Sequence, residues 1–261
     1  MADLSRGVIV VLSGGPLDET NPPEVRRRMN EFIAAVNDDP YVKANTGGKG
    51  LTFHLIKDQK EKYIHQTAWR KVCEALEPLT ATPLVIVGHS NGGAAALNVT
   101  RCIRAQGKTV DLLFTADSLG TLDDIGDPHA VNLVPDSVRL NINSWVIPTL
   151  ANLLLPFPIG RPNRRETGAP FANLLNIGLR YNLPGAIAHR NAFYHLAGGD
   201  KTLGGGYEFP SVLLETTLAL LRGGAPNSII DGVVAPLQDL ASGANVQIEL
   251  ETQAFKKTLK P

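Results

Sequence analysis

Apolar, β-branched runs alternate along this chain with segments whose apolar residues recur at helical spacing. Buried strands are predicted at residues 7–12, 51–56, 83–87, 110–116 and 137–142, with a further strand at 173–179. Helices are predicted at residues 22–37, 61–76, 92–106 and 210–222. Because strands that alternate with helices favour parallel pairing with helices on both faces, the pattern predicts an α/β fold with a mostly parallel sheet.

Two regions depart from this alternation. Residues 144–167 lie between two predicted strands and are apolar but broken by prolines, so they are either a candidate apolar cap over the sheet edge or further core. In the tail, Val246, Ile248 and Leu250 alternate with polar residues, which predicts a half-exposed edge strand. We therefore expect a main domain over residues 1–222 and a C-terminal extension, residues 223–261, packed on the same domain.

Composition limits the classes of partner and the cellular location to be expected. The chain has 261 residues, 43% of them hydrophobic, which is enough for one large packed domain. Its 25 basic residues balance its 25 acidic ones, so charge favours neither nucleic acid nor an anionic membrane as a partner. No apolar stretch reaches the roughly 20 residues of a membrane helix, and the N-terminus lacks the apolar core of a signal peptide. We expect a cytoplasmic protein with no integral membrane segment, with export by another route left open.

Two cysteines, Cys73 and Cys102, lie in predicted helices. Two thiols in a chain of this length do not make a disulfide framework. Neither has a redox or metal partner nearby in the sequence. We expect both to be free, buried side chains.

The most informative motif is Gly-His-Ser-Asn-Gly-Gly at residues 88–93, directly after the strand predicted at 83–87. A serine between a buried strand and a helix lies on a sharp turn that presents its hydroxyl at the carboxyl edge of the sheet. Gly88 and Gly92 satisfy the need for small neighbours in that turn. Ser90 is therefore the candidate nucleophile, against the plainer interpretation of a glycine-rich turn with an incidental serine.

A serine hydroxyl needs a base within hydrogen-bond reach, and the base needs an orienting acid. Asp117 directly follows the strand predicted at 110–116, at the same sheet edge as Ser90, and is the preferred acid. The rival acids follow in the same loop, at Asp123, Asp124 and Asp127.

Two histidines follow the last plausible sheet strand, His189 and His195. His189 is preferred as the base because it lies in a predicted loop, whereas His195 lies in the helical run after it and has a plain interpretation as a partly buried helix histidine. His89 lies inside the motif, and its side chain is expected to point away from the serine hydroxyl and to line the pocket. His129 lies in the loop after Asp117, before the last strands.

Acyl transfer also needs two preorganised donors for the oxyanion. One is expected to be the backbone N–H of Asn91, the residue after the nucleophile, and the other an N–H from Gly14 or Gly15, which follow the first strand. Gly14 and Gly15 are also compatible with an ordinary tight turn. A phosphate-binding loop is disfavoured because no lysine–serine or lysine–threonine pair follows them.

Together, residues 14–15, 88–92, Asp117 and His189 resemble the α/β-hydrolase superfamily over roughly residues 7–222, and most closely its lipase- or esterase-like members. The resemblance implies a chain order of serine, acid and histidine, which leaves His54 and His65 outside the site. It also implies a reduced sheet, because members usually begin with two further antiparallel strands.

The resemblance implies a serine hydrolase that cleaves carboxylic esters through Ser90, His189 and Asp117, without a metal or organic cofactor. The expected substrate is a small-molecule or lipid-like ester. Arg161, Arg164 and Arg165 could meet an anionic head group, although a solvated loop is the simpler interpretation. The alternatives are a thioesterase or acyltransferase that uses the same triad, and a non-catalytic binding protein on a hydrolase fold.

Overall fold

A mostly parallel sheet forms the centre of the protein. The structure is a computed structural model, and it describes residues 4–12, 22–48, 50–56, 64–118, 132–149, 160–167, 173–183, 185–197, 211–252 and 254–261. The strands in these ranges are β1 Val8–Leu12, β2 Thr52–Ile56, β3 Leu84–His89, β4 Val110–Ala116, β5 Asn132–Val134, β6 Val138–Val146, β7 Asn163–Arg165, β8 Leu174–Arg180, β9 Gln247–Glu251 and β10 Lys256–Leu259. Eight of them form the main sheet in the order β2–β1–β3–β4–β6–β8–β9–β10, and β5 pairs with β7 in a small second sheet.

The main sheet is parallel from β2 to β8, and β9 and β10 are added antiparallel. Strands β1, β3 and β4 are buried along their whole length, as expected where helices cover both faces of a parallel sheet. The predicted α/β class with a mostly parallel sheet is confirmed.

Helices cover both faces of this sheet. They are α1 Pro22–Asp38, α2 Pro40–Asn45, α3 Ile64–Leu76, α4 Asn91–Ala105, α5 Gly185–Ala197, α6 Val212–Leu221, α7 Pro226–Gly232 and α8 Val234–Gly243. Met29 of α1, Phe193 of α5 and Leu213 of α6 share one buried cluster, whereas Val72 of α3 and Leu97 of α4 belong to a second cluster. Among the described residues, none of these helices combines the length and apolar character needed to cross a bilayer.

The C-terminal residues belong to the main sheet. β9 pairs with β8 on one side and with β10 on the other. The prediction of an alternating strand near residue 248 is confirmed, but its placement at the sheet edge is wrong. β10 covers that edge, and the outward residues of β9 are half-buried rather than exposed.

The candidate cap over residues 144–167 does not form one unit with those bounds. Ser144 to Val146 complete β6 within the main sheet, and Asn163 to Arg165 form β7. Residues 150–159 lie outside the described ranges. The cap itself stays a prediction.

The expectation of free cysteines is wrong. Cys73 of α3 and Cys102 of α4 are joined in a disulfide, with their Cα atoms 6.2 Å apart. The two residues are 29 positions apart and meet only because α3 and α4 pack side by side. Since disulfides are typical of oxidising compartments, the cytoplasmic location stays a prediction.

Candidate active site

Ser90 lies on a strained turn between β3 and α4. Its backbone has φ 57° and ψ −126°, in the left-handed region that non-glycine residues rarely adopt. The chain can turn this sharply because Gly88 has no side chain, and a Cβ there would lie 2.5 Å from the Gly92 carbonyl oxygen. The Ser90 side chain does not cap α4, so its hydroxyl is not committed to the helix. Strain of this kind is concentrated at functional sites.

Asp117 occupies the equivalent position on the neighbouring strand. β3 and β4 are parallel with His89 opposite Ala116, so Ser90 and Asp117 each come one residue after a paired position. The Ser90 N–H donates to the Ala116 carbonyl at 3.0 Å, which joins the two turns. Asp117 also has a positive φ, 45°, and is fully buried.

The Asp117 carboxylate is held by the backbone on one side and by histidine on the other. Oδ1 accepts hydrogen bonds from the N–H groups of Val146 and Gly160, each at 2.9 Å. Oδ2 accepts a hydrogen bond from Nδ1 of His189. A buried carboxylate with three donors is fixed in position. The donor that is not a backbone group is the histidine ring, which is the group that the acid of a triad orients.

His189 lies inside α5 rather than in the predicted loop, so that part of the prediction is wrong. The helix carries buried residues at 188, 192, 193 and 196, a spacing that indicates one buried face and that the sequence already contained. The Ser144 hydroxyl donates to the Ala192 carbonyl at 3.2 Å, which anchors α5 to the end of β6. This docking brings His189, which is 2% exposed, to Asp117.

His89 links the serine turn to the histidine. Its ring centroid is 4.8 Å from that of His189 and 5.2 Å from that of Phe193, and His89 is fully buried. The structure thus joins Asp117 to His189 by a hydrogen bond. Ser90 is connected to this pair through the preceding residue, His89, whose ring contacts that of His189. In the part of the chain that the structure describes, no hydrogen bond joins the Ser90 hydroxyl to Nε2 of His189, and catalytic contacts of that kind often tighten only with substrate.

The rival histidine is already engaged elsewhere. His195 lies on α5, and its Nδ1 accepts a hydrogen bond from the Tyr181 hydroxyl at 2.8 Å. Burial lowers the pKa of His195 to about 4, so the ring is neutral at pH 7. Burial, and secondarily the charge of Asp117, raises the pKa of Tyr181 well above its ordinary value, so its hydroxyl stays protonated and can donate.

The described residues contain only part of the predicted oxyanion site. Asn91 is half-buried at the first position of α4, where N–H groups are not used within the helix. Gly14 and Gly15 lie outside the described ranges. The same holds for the rival acids Asp123, Asp124 and Asp127 and for His129.

Of the three arginines at the end of the predicted cap, Arg165 is not solvated, contrary to the simpler interpretation, whereas the Arg164 side chain is 36% exposed. Arg165 is 5% exposed and donates to the Pro135 carbonyl at 3.1 Å, while Arg164 pairs with Glu251 of β9 at 3.4 Å. Burial lowers the pKa of Arg165 despite the opposing charge of Asp136. Both side chains therefore tie β7 to its surroundings.

Sequence reasoning missed a cluster of buried polar residues beside Asp117. The cluster lies on β4, β6, β7 and β8 and consists of Thr115, Asn141, Asn143, Asn163 and Asn176, all fully buried. Asn141 inside the strand predicted at 137–142, with Asn143 following two positions later, was the one signal available, since buried amides require partners.

Comparisons with protein-family models, with curated proteins and with solved structures find no match to this chain.

Proposed function

We propose that this protein is a serine hydrolase with an α/β-hydrolase fold that cleaves carboxylic esters. The observation that carries the proposal is the buried Asp117–His189 hydrogen bond at the sheet edge where the strained Ser90 turn lies. Two further features support it. The serine and the acid end adjacent interior strands of a parallel sheet, and functional groups in such sheets gather at the carboxyl ends of the strands.

In the proposed reaction, the Ser90 Oγ attacks the ester carbonyl carbon while His189 Nε2 takes the hydroxyl proton. Asp117 keeps the Nδ1 proton directed at its own carboxylate and stabilises the imidazolium that forms. The tetrahedral oxyanion accepts hydrogen bonds from the Asn91 N–H and from an N–H of Gly14 or Gly15. His189 then protonates the leaving alcohol, and the acyl group stays on Ser90.

Water completes the cycle. His189 removes a proton from a water molecule, which attacks the acyl-enzyme carbonyl. Collapse of the second tetrahedral intermediate releases the carboxylic acid and returns the proton to Ser90. These steps use only side chains and backbone groups of this chain, and the substrate is a small-molecule or lipid-like ester.

The experiment is active-site labelling with a fluorophosphonate, followed by hydrolysis of p-nitrophenyl esters of increasing chain length. The wild type should be labelled and Ser90→Ala should not. Asp117→Asn should reduce kcat by roughly 10³- to 10⁴-fold because the ring loses its orienting acceptor, and His189→Ala should be affected at least as strongly.

The matched control is His195→Gln, on the same helix and also buried, which should keep most of the activity. Labelling that persists in Ser90→Ala would refute the nucleophile, and a dead His195→Gln beside an active His189→Ala would refute the base. A wild type that is neither labelled nor active on any ester would indicate a binding protein. Transfer of the acyl group to an alcohol in preference to water would indicate an acyltransferase.

A further inference from the structure

The position of the Asp117 carboxylate depends on two backbone donors that are supported very differently. Val146 lies in β6 and is held by pairing with Leu179 of β8. Gly160 lies in no strand or helix, yet its N–H donates to the same oxygen, Oδ1, at the same distance of 2.9 Å. Something other than the sheet ladder must therefore fix Gly160.

Room around Gly160 is also minimal. A Cβ at this position would lie 2.5 Å from the Asp117 Cα. Residue 160 thus lies directly on the acid, and only glycine fits there. A small displacement of its backbone would lengthen the hydrogen bond to Asp117.

The next residue supplies the anchor. The Arg161 N–H donates to the Ser118 carbonyl at 3.2 Å, and the Arg161 carbonyl accepts from Nδ2 of Asn143 at 3.0 Å. Asn143 is fully buried in the middle of the sheet, one position along β6 from Ser144. A second amide, Nδ2 of Asn132 on β5, reaches the same carbonyl only at 3.5 Å, so Asn143 is the closer side-chain donor to the residue after Gly160.

The amide of Asn143 cannot turn around, because both of its ends are engaged. Its Oδ1 accepts from the Thr115 hydroxyl at 2.8 Å, and its Nδ2 also donates to Oδ1 of Asn176 at 3.1 Å. Thr115 and Asn176 lie opposite Asn143 on the two neighbouring strands. A buried amide with satisfied donors and acceptor is rigid, since any other orientation leaves polar atoms unpaired.

We propose that Asn143 is a positioning residue for the acid of the triad: it holds the Arg161 carbonyl so that the adjacent Gly160 N–H stays on Asp117 Oδ1. The inference rests on the proposed function for its catalytic consequence, but the geometric step can be measured without it. Asn143 touches neither the substrate nor the reacting atoms and acts through residues 160–161.

His89 contacts the His189 ring from β3, and Tyr181 lies close enough to Asp117 for the carboxylate charge to raise the pKa of its hydroxyl. The substitutions proposed below remove neither of these groups.

The test compares amide hydrogen exchange at Gly160 and Val146 in the full chain. Asn143→Leu removes the donor to Arg161 at nearly constant volume, and should speed exchange at Gly160 at least tenfold relative to Val146. The matched control is Asn141→Leu, equally buried and two positions away on β6, whose amide donates to the Leu113 carbonyl and not to Arg161. It should leave the Gly160-to-Val146 ratio within about twofold of the wild type.

Equal acceleration at both amides, or the same change in Asn141→Leu, would overturn the proposal. If Asn143→Leu does not fold, Gly160→Ala tests the same step from the other side, because its added methyl group must push the residue away from Asp117. It should slow fluorophosphonate labelling of Ser90 at least tenfold, and unchanged labelling would overturn the proposal.

Activity measurements separate the role of Asn143 from the proposed hydrolase function. If the protein hydrolyses esters, Asn143→Leu should lower kcat while KM changes less than twofold, because only the orientation of His189 is affected. If the protein hydrolyses nothing, the exchange ratio still decides the role of Asn143, and only the proposed function is lost.

Discussion

The backbone of Ser90 is strained, and this strain predicts that two substitutions of Ser90 will differ in their effect on stability. Ser90 has φ 57° and is 1% exposed. Both Ser90→Gly and Ser90→Ala remove the nucleophile, but only glycine also removes the Cβ that makes this conformation unfavourable. Ser90→Gly should therefore be more stable than Ser90→Ala, although both are inactive.

The magnitude follows from two opposing contributions. A non-glycine residue held in a sparsely populated region costs about 1–3 kcal/mol, whereas glycine loses about 0.5–1 kcal/mol more in conformational entropy on folding. The net advantage of Ser90→Gly over Ser90→Ala is about 1 kcal/mol. In a domain of this size that is a difference in Tm of roughly 2–4 °C.

Urea and thermal unfolding followed by circular dichroism would measure this difference. Thr100, in the interior of α4 and fully buried, provides the control. There Thr100→Gly should be less stable than Thr100→Ala by about 1 kcal/mol, because glycine is unfavourable within a helix. A Ser90→Gly variant that melts at or below the temperature of Ser90→Ala would refute the argument from strain.

Two further predictions concern stability. The pKa of His195 is about 4 in the folded protein, below its unfolded value of about 6.5. The folded state therefore binds this proton more weakly than the unfolded state does. The free energy of unfolding should fall by up to about 3 kcal/mol as the pH is lowered from about 6.5 through 4. Urea titrations at pH 7 and pH 4.5 should show a smaller loss for His195→Gln, and an equal loss would contradict the assignment. Reduction of the Cys73–Cys102 disulfide, which closes a 29-residue separation, should lower the free energy of unfolding by about 3.5 kcal/mol from the loop entropy. Unfolding with and without reductant measures this, and two titratable thiols in the unreduced protein would contradict the disulfide.

The local features of the site could be predicted from the sequence. The turn at Ser90 is indicated by a strand that is followed by glycines, and the placement of Asp117 by a strand that is followed by a polar residue. Both patterns are local, spanning fewer than ten residues. They place the serine and the acid at one edge because parallel neighbours end together. Nothing in that reasoning needs the tertiary structure.

The rest depends on contacts between distant segments. The helical position of His189 was available from the spacing of apolar residues in α5, although we expected a loop at this position. The disulfide could not be predicted because α3 and α4 meet only in the folded protein. β10 shows no alternation, since Leu259 is its one buried residue, and its pairing is set by β9.

The buried amides also have a consequence for how the chain selects one sheet pairing. Thr115, Asn143 and Asn176 lie at the same level on β4, β6 and β8, and each satisfies the next. If β6 slipped by one residue, its asparagines would turn to the opposite face, among Phe114 and Ile177, and would lose every partner. Leucines at these positions would be compatible with either register of β6. The asparagines therefore select the observed register of the strands that position Asp117.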